Sequence, residues 1–245
     1  MNEIKNIAVI LAAAGEASRL SNGKIKSKQS VCLAEKPLLF YSLDKFCSIK
    51  EISEIVIVSN DVEQTKSLLE KYKCPANISF KVVLGGKLRQ ESVRIGFCEI
   101  TTLPKLVIIH DVARPFFKIE HLKQCIDLAF QMGASALAIP LSETLKEVRY
   151  DKDKLNVIKT IDRNKLYLSQ TPQVISYNLL FEVYENYTKN KGQNTIFTDE
   201  ASILESMSKP VSVVESDRLN IKITYPEDLK IAEAILHIHE EKSIL

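Results

Sequence analysis

The stretch Ile7-Ala8-Val9-Ile10-Leu11-Ala12-Ala13-Ala14-Gly15-Glu16-Ala17-Ser18-Arg19-Leu20 decides the fold. Its first half is a short apolar run, the signature of a buried strand. The run ends in three alanines and a glycine, small residues that let backbone N–H groups come close to a ligand. Arg19 follows, then a turn at Ser21-Asn22-Gly23 and the basic segment Lys24-Ile25-Lys26-Ser27-Lys28-Gln29. A strand that feeds a small-residue loop with cations beyond it suits a nucleoside triphosphate, because backbone amides hold phosphate oxygens and Arg or Lys neutralises them. An ordinary strand-to-helix turn followed by a solvated basic loop fits the same residues.

Outward from this stretch, apolar strand patterns alternate with helical ones. Strands are expected at Glu54–Ser59, Phe80–Leu84, Lys105–Ile109 leading into His110-Asp111, and Ser135–Pro140. Helices are expected near Asp61–Lys73, Arg89–Glu99 and Ile119–Met132, the last stopping at Gly133. Such alternation predicts an α/β fold, a mainly parallel sheet covered on both faces, with ligands at the carboxyl ends of its strands. Gly15, Gly86 and Asp111 fall at those ends.

The alternation breaks after Pro140. Glu143–Tyr150 and Leu155–Ile161 read as polar extended runs around the tip Asp151-Lys152-Asp153-Lys154. They predict either a projecting hairpin, suited to packing on another subunit, or a surface loop. Helices resume near Tyr177–Asn190 and Thr198–Met207, a short strand follows at Val211–Val214, and Tyr225-Pro226-Glu227-Asp228 opens the last helix.

Composition narrows the functions. At 245 residues the chain is one large domain, 1–245, and its formal charge of +2 points to no nucleic-acid partner. No apolar run approaches membrane-spanning length, and no leader-like apolar segment opens the chain. Cys32, Cys47, Cys74, Cys98 and Cys125 are odd in number without Cys-x-x-Cys spacing, which suits reduced, buried thiols in a cytoplasm. His110, His121, His237 and His239 show no metal-ligand spacing. The opening loop also lacks the Gly-x-Gly-x-x-Gly of nicotinamide dinucleotide enzymes.

Several motifs recur together: the Ala-Ala-Gly loop ending at Arg19; Ser27-Lys28-Gln29; Gly85-Gly86 with Arg89 and Ser92; Asp111-Val112-Ala113-Arg114-Pro115; Thr160 to Asn164; Gln170-Thr171-Pro172-Gln173; Thr198 to Ser202; and Asn220 to Asp228. In this order, from Ile7 to about Ala234, they resemble the 2-C-methyl-D-erythritol 4-phosphate cytidylyltransferase family. The resemblance implies a Rossmann-like nucleotidyltransferase fold with a protruding β-arm at about 142–163, and a homodimer joined partly by that arm. It also implies CTP with magnesium, and a sugar-alcohol phosphate acceptor. Ribitol 5-phosphate cytidylyltransferases are similar, with the same reaction on a different acceptor. A non-catalytic nucleotide-binding relative is the reading from another class.

By the same resemblance, Arg19 and Lys28 stabilise the transition state from the triphosphate side. Ala13, Ala14 and Gly15 supply loop contacts, and Gly86 and Ser92 lie near the cytosine. Arg163 and Lys222 position the attacking phosphate, while Asp111, Arg114, Thr144 and Thr171 line the sugar-phosphate pocket or the ribose. From the residues alone, Lys222 between Ile221 and Ile223 is equally the polar face of a strand, and Arg163 beside Asp162 a surface ion pair. The chain departs from the family pattern at Ala17, where a glycine is usual, at Ser27, where a proline is usual, and at Lys87, where many relatives are acidic. The stretch from Arg19 to Lys28 is also longer.

Overall fold

The computed structural model describes residues 6–15, 30–74, 78–189 and 196–243. Arg19 and Lys28, together with Ala17 and Ser27, lie outside the described residues. Strand β1 (Ile7–Ala13) is followed by the short pair β2 (Cys32–Leu33) and β3 (Lys36–Pro37), helix α1 (Leu38–Cys47), strand β4 (Ile52–Ser59) and helix α2 (Val62–Glu70). Then come β5 (Ser79–Leu84), α3 (Arg89–Cys98), β6 (Leu106–Asp111), α4 (Ile119–Met132) and β7 (Ala134–Pro140). The remainder is β8 (Leu145–Asp151), β9 (Lys154–Ile161), β10 (Tyr167–Ser176), α5 (Tyr177–Lys189), α6 (Glu200–Ser206), β11 (Ser212–Glu215) and α7 (Pro226–Ser243).

Among the described residues, seven strands form one sheet in the order β11-β7-β10-β6-β1-β4-β5. β6, β1, β4 and β5 pair in parallel, as do β7 and β11. The apolar run of β1 is continuous because both of its faces are covered. Ile7, Val9, Leu11 and Ala13 join one core cluster with α1 and α4, whereas Ala8 and Ile10 join a second with α3 and α5. α3 approaches the sheet closely at Gly96, where a Cβ would stand 2.7 Å from Val58 Cγ2 and 2.8 Å from Ile10 Cγ2. α4 ends where the sequence places its stop, at Gly133 with φ of 90°.

The sheet departs from the expected pattern at β10. This ten-residue strand, absent from the strands that the sequence pattern announces, runs antiparallel between β6 and β7. Its register with β7 slips between Ser169 and Gln173, the segment that holds Pro172. A proline that cannot donate to a ladder sits at such an irregularity, and it hides the strand in the sequence. α1 is likewise an element the pattern does not announce. α6 begins at Glu200 rather than Thr198, because the Asp199 side chain accepts from Ser202 N at 3.0 Å and caps the helix.

β8 and β9 form a separate two-stranded hairpin, the arm. Lys152 and Asp153 turn its tip at φ of 48° and 66°, the paired positive angles that a two-residue hairpin favours. The expectation of polar strands is only half right. Val148 pairs opposite Val157 and Tyr150 opposite Leu155, so these four exposed side chains share one face.

Candidate active site

The carboxyl ends of β1, β4, β5 and β6 lie along one edge of the sheet. Chain order reverses around β1, with β4 on one side and β6 on the other, which opens a crevice at the ends of the strands. A cavity of about 590 Å³ occupies it, lined by Ala12–Gly15, Asn60, Gly86–Arg89, Ser92, Asp111, Ala113 and Lys222. A smaller one of about 140 Å³ shares Arg89, Asp111 and Lys222 with it, and adds Arg114, Ser169–Thr171, Gln173, Thr198 and Asp199. The fold thus brings together Ala13, Ala14, Gly15, Gly86, Ser92 and Lys222 around Asp111, with Arg114 and Thr171 beside them. Thr144 and Arg163 are exposed at the base of the arm and line neither cavity of the single chain.

The small-residue walls are built locally. A Cβ on Gly85 would stand 2.5 Å from Ala14 Cβ, so the loop after β5 lies directly against the loop after β1. Gly86 N donates to Ser92 Oγ at 3.1 Å, and Ser92 Oγ in turn reaches Leu88 O at 3.1 Å. Glu91 folds back to accept from Lys87 N and Leu88 N at 2.9 and 3.2 Å. Ser92, which the resemblance puts near a base, is therefore also the residue that shapes the loop.

Asp111 ends β6 at the centre of the crevice. Arg89 Nε donates to its Oδ1 at 3.1 Å, and Lys222 Nζ to its Oδ2 at 2.6 Å. Burial works against the charge of Asp111, but Arg89 and Lys222 outweigh it and hold the carboxyl well below its usual range. Lys222 lies in an extended segment outside any strand, docked by Ile223 N on Ala113 O at 2.8 Å. The alternation around it does describe an inside and an outside: Ile223 is fully buried, while the Lys222 side chain remains 41% exposed.

A neutral histidine supports Asp111 from behind. His110 Nε2 is 3.1 Å from Arg114 O, which can only accept, so Nε2 carries the proton. Nδ1 then accepts from the Thr171 hydroxyl at 3.1 Å, whose oxygen takes the Asp111 N–H at 3.0 Å. The ring packs on Phe46 and Phe117, and burial pushes its pKa down to about 3. Between that value and about 6.5 the unfolded chain holds a proton that the folded chain does not. Stability therefore falls as pH drops through this window, by at most about 1.4 kcal/mol per pH unit from this residue. Denaturant midpoints measured from pH 6.5 to 5 are expected to show that slope in the wild type and to lose it in His110→Gln. An unchanged slope would mean that the buried ring takes up its proton without leaving the fold.

Sequence reasoning did not single out the contributions of Arg89, Glu200, Asp199 and Gln173. Arg89 Nη1 donates to both Glu200 oxygens at 3.0 Å, and Asp199 Oδ2 accepts from Ser169 Oγ at 2.7 Å and Gln173 Nε2 at 2.9 Å. These contacts bridge residues far apart in the chain, and no local spacing announces them. Among the described residues no group of three or more His, Cys, Asp or Glu side chains is set to hold a metal ion.

A crevice at a switch point, walled by small residues and floored by paired cations, defines an α/β protein built to hold phosphorylated nucleotides. Residues 7–238 match the profile of the 2-C-methyl-D-erythritol 4-phosphate cytidylyltransferases. A protein of that name from Geobacillus thermodenitrificans is 38% identical over 233 residues, 94% of this chain and 97% of its own. A 4-diphosphocytidyl-2C-methyl-D-erythritol synthase structure from Anaerococcus prevotii superposes with a TM-score of 0.77 at 30% identity, covering 96% of this chain and 97% of its own. The Francisella tularensis cytidylyltransferase structure gives 0.73 at 31%, covering 93% and 98%. The chain belongs to the 2-C-methyl-D-erythritol 4-phosphate cytidylyltransferase family.

Proposed function

We propose that the chain transfers the cytidylyl group of CTP to 2-C-methyl-D-erythritol 4-phosphate, releasing pyrophosphate, in isoprenoid precursor synthesis. One observation carries the reading: two adjoining cavities share Arg89, Asp111 and Lys222, so that a nucleotide in the larger and an anion in the smaller meet over the same charges. An oxygen of the acceptor phosphate attacks the α-phosphorus of CTP, and the bond to the pyrophosphate oxygen breaks. That phosphate is already ionised at neutral pH, so the protein supplies no base and no nucleophile. It aligns two polyanions and stabilises charge on the α-phosphoryl group.

In this reading the backbone of Ala13, Ala14 and Gly15 faces the phosphates, with Arg19 and Lys28 supplying cations from the segment that follows. Gly86 and Ser92 stand at the base end. Lys222 leaves Asp111 for the acceptor phosphate, and Asp111, Arg114 and Thr171 meet the acceptor's hydroxyl groups. Magnesium fits as a companion of the triphosphate, neutralising its oxygens. Asp111 is the carboxylate among the residues that line the larger cavity, and both its oxygens already face cations.

The homodimer is part of the same proposal. The face of Val148, Tyr150, Leu155 and Val157 is apolar, exposed and paired to no other strand, as expected of a surface that a second copy covers. Docked there, the arm would carry Thr144 and Arg163 to the partner's acceptor pocket. A cytoplasmic location suits the five cysteines, none of them in a disulfide, although Cys32 and Cys98 are exposed rather than buried. No helix among the described residues is long and apolar enough to cross a membrane.

The test is pyrophosphate release from each nucleoside triphosphate with methylerythritol phosphate or ribitol phosphate as acceptor. CTP with methylerythritol phosphate is expected to exceed every other combination by at least about a hundredfold in kcat/KM, since a site that hydrogen-bonds its substrate discriminates strongly. Comparable turnover with ATP would leave only a generic nucleotidyltransferase, and preference for ribitol phosphate would reassign the acceptor.

A further inference from the structure

Glu200 is fully buried at the first turn of α6, and it lines neither cavity. Both of its oxygens accept from Arg89 Nη1; burial raises the carboxyl's pKa above its usual range, and the facing guanidinium opposes that rise. Arg89 in turn holds Asp111 Oδ1, and Asp111 Oδ2 holds Lys222 Nζ. Four charges of alternating sign thus run in file from the core beneath α6 to the junction of the two cavities. The remaining guanidinium nitrogen, Arg89 Nη2, is buried with no hydrogen-bond partner among the described residues. The orientation of Arg89 therefore rests on two grips, Asp111 on the crevice side and Glu200 on the core side.

Packing alone does not call for a charge at this place. Two apolar side chains would seat α6 against α3 without the desolvation that a buried ion pair incurs. What an apolar pair would not do is set the direction in which Arg89 presents Nε. Without its inner grip, Arg89 is free to swing and take both oxygens of Asp111 in the bidentate geometry that guanidinium and carboxylate prefer. Lys222 would then lose the contact that places it between the cavities.

We propose that Glu200 is a positioning residue of the transfer reaction, acting through Arg89 and Asp111 to fix Lys222 where the acceptor phosphate arrives. The inference rests on the cytidylyl transfer proposed above. It also separates Glu200 from Asp199 beside it, which caps α6 and lines the smaller cavity directly.

The test is a double-mutant cycle on pyrophosphate release, with wild type, Glu200→Gln, Lys222→Ala and the double variant. Glu200→Gln keeps the shape and one acceptor but removes the charge. It is expected to lower kcat/KM for the acceptor by about ten- to a hundredfold while leaving KM for CTP within about twofold, a split that general loosening of the fold does not produce. In the Lys222→Ala background the same change is expected to add less than about a threefold loss, because the residue through which it acts is gone. Wild-type acceptor kinetics in Glu200→Gln, or losses that simply multiply in the double variant, would overturn the proposal. If Glu200→Gln does not fold, Arg89→Gln/Glu200→Gln removes both buried charges together; retention of wild-type acceptor kcat/KM there would overturn it equally. Absence of transfer by the wild-type enzyme itself would fell the underlying reaction instead, so the two failures are distinguishable.

Discussion

Lys222→Ala is expected to lower kcat/KM for the acceptor phosphate by on the order of a thousandfold, about 4 kcal/mol of transition-state stabilisation. Lys222 is a half-exposed cation of the crevice: its side chain is 41% exposed, it lines both cavities, and its ammonium donates to Asp111 Oδ2. An ammonium that moves from a carboxylate to an incoming phosphate is worth most when charge builds on the reacting phosphoryl group. The fold is expected to lose less than the reaction does, since the buried Asp111 keeps the hydrogen bond from Arg89 Nε. Thermal unfolding close to wild type alongside the kinetic loss is the expected pair of results. A kcat/KM within tenfold of wild type would return Lys222 to the solvated face of an ordinary segment.

Mixing two inactive variants is expected to restore activity. If the arm reaches across a dimer, each site combines Lys222 of one subunit with Arg163 of the partner subunit. Lys222→Ala and Arg163→Ala homodimers are then each nearly inactive. After subunit exchange about half of the dimers are mixed, and each mixed dimer has one site with both residues intact and one with neither, so about a quarter of wild-type activity returns. An arm that serves its own subunit gives no recovery, because every site in the mixed dimer carries one defect. Mixed dimers that form but stay inactive would therefore rule out the crossed arm.

The parallel half of the sheet was legible because its strands are buried on both faces and read as unbroken apolar runs, Ile7–Ala13 above all. Small residues at their carboxyl ends, Gly15 and Gly86, marked the rim of the crevice. β10 was not legible: Pro172 and the polar residues Ser169, Gln170 and Thr171 look like a turn, and only their place between β6 and β7 makes them a strand. The paired faces of the arm were half visible, since the charged tip and its turn stand out while the apolar face emerges only from the register of Val148 with Val157. Asp111 announced itself by following an apolar strand. Its pairings did not: Arg89 reaches it from 22 residues away, Lys222 from 111, and Glu200 meets Arg89 across another 111. Arg19 and Lys28 remain where sequence motifs alone place them.

β10 has a consequence for how this enzyme can change over generations. By running antiparallel between β6 and β7, it divides the chain's contributions to the crevice. The described residues that line the larger cavity come from positions up to 113, with Lys222 the exception, whereas the smaller cavity draws its own residues from 114, 169–171, 173 and 198–199. The two halves meet only at the shared charges of Arg89, Asp111 and Lys222. With the acceptor in the smaller cavity, as proposed, drift in β10 and in the turn before α6 would remodel which acceptor is admitted while the larger cavity stays intact. On that assignment, acceptor choice is the trait that this architecture would leave open to selection.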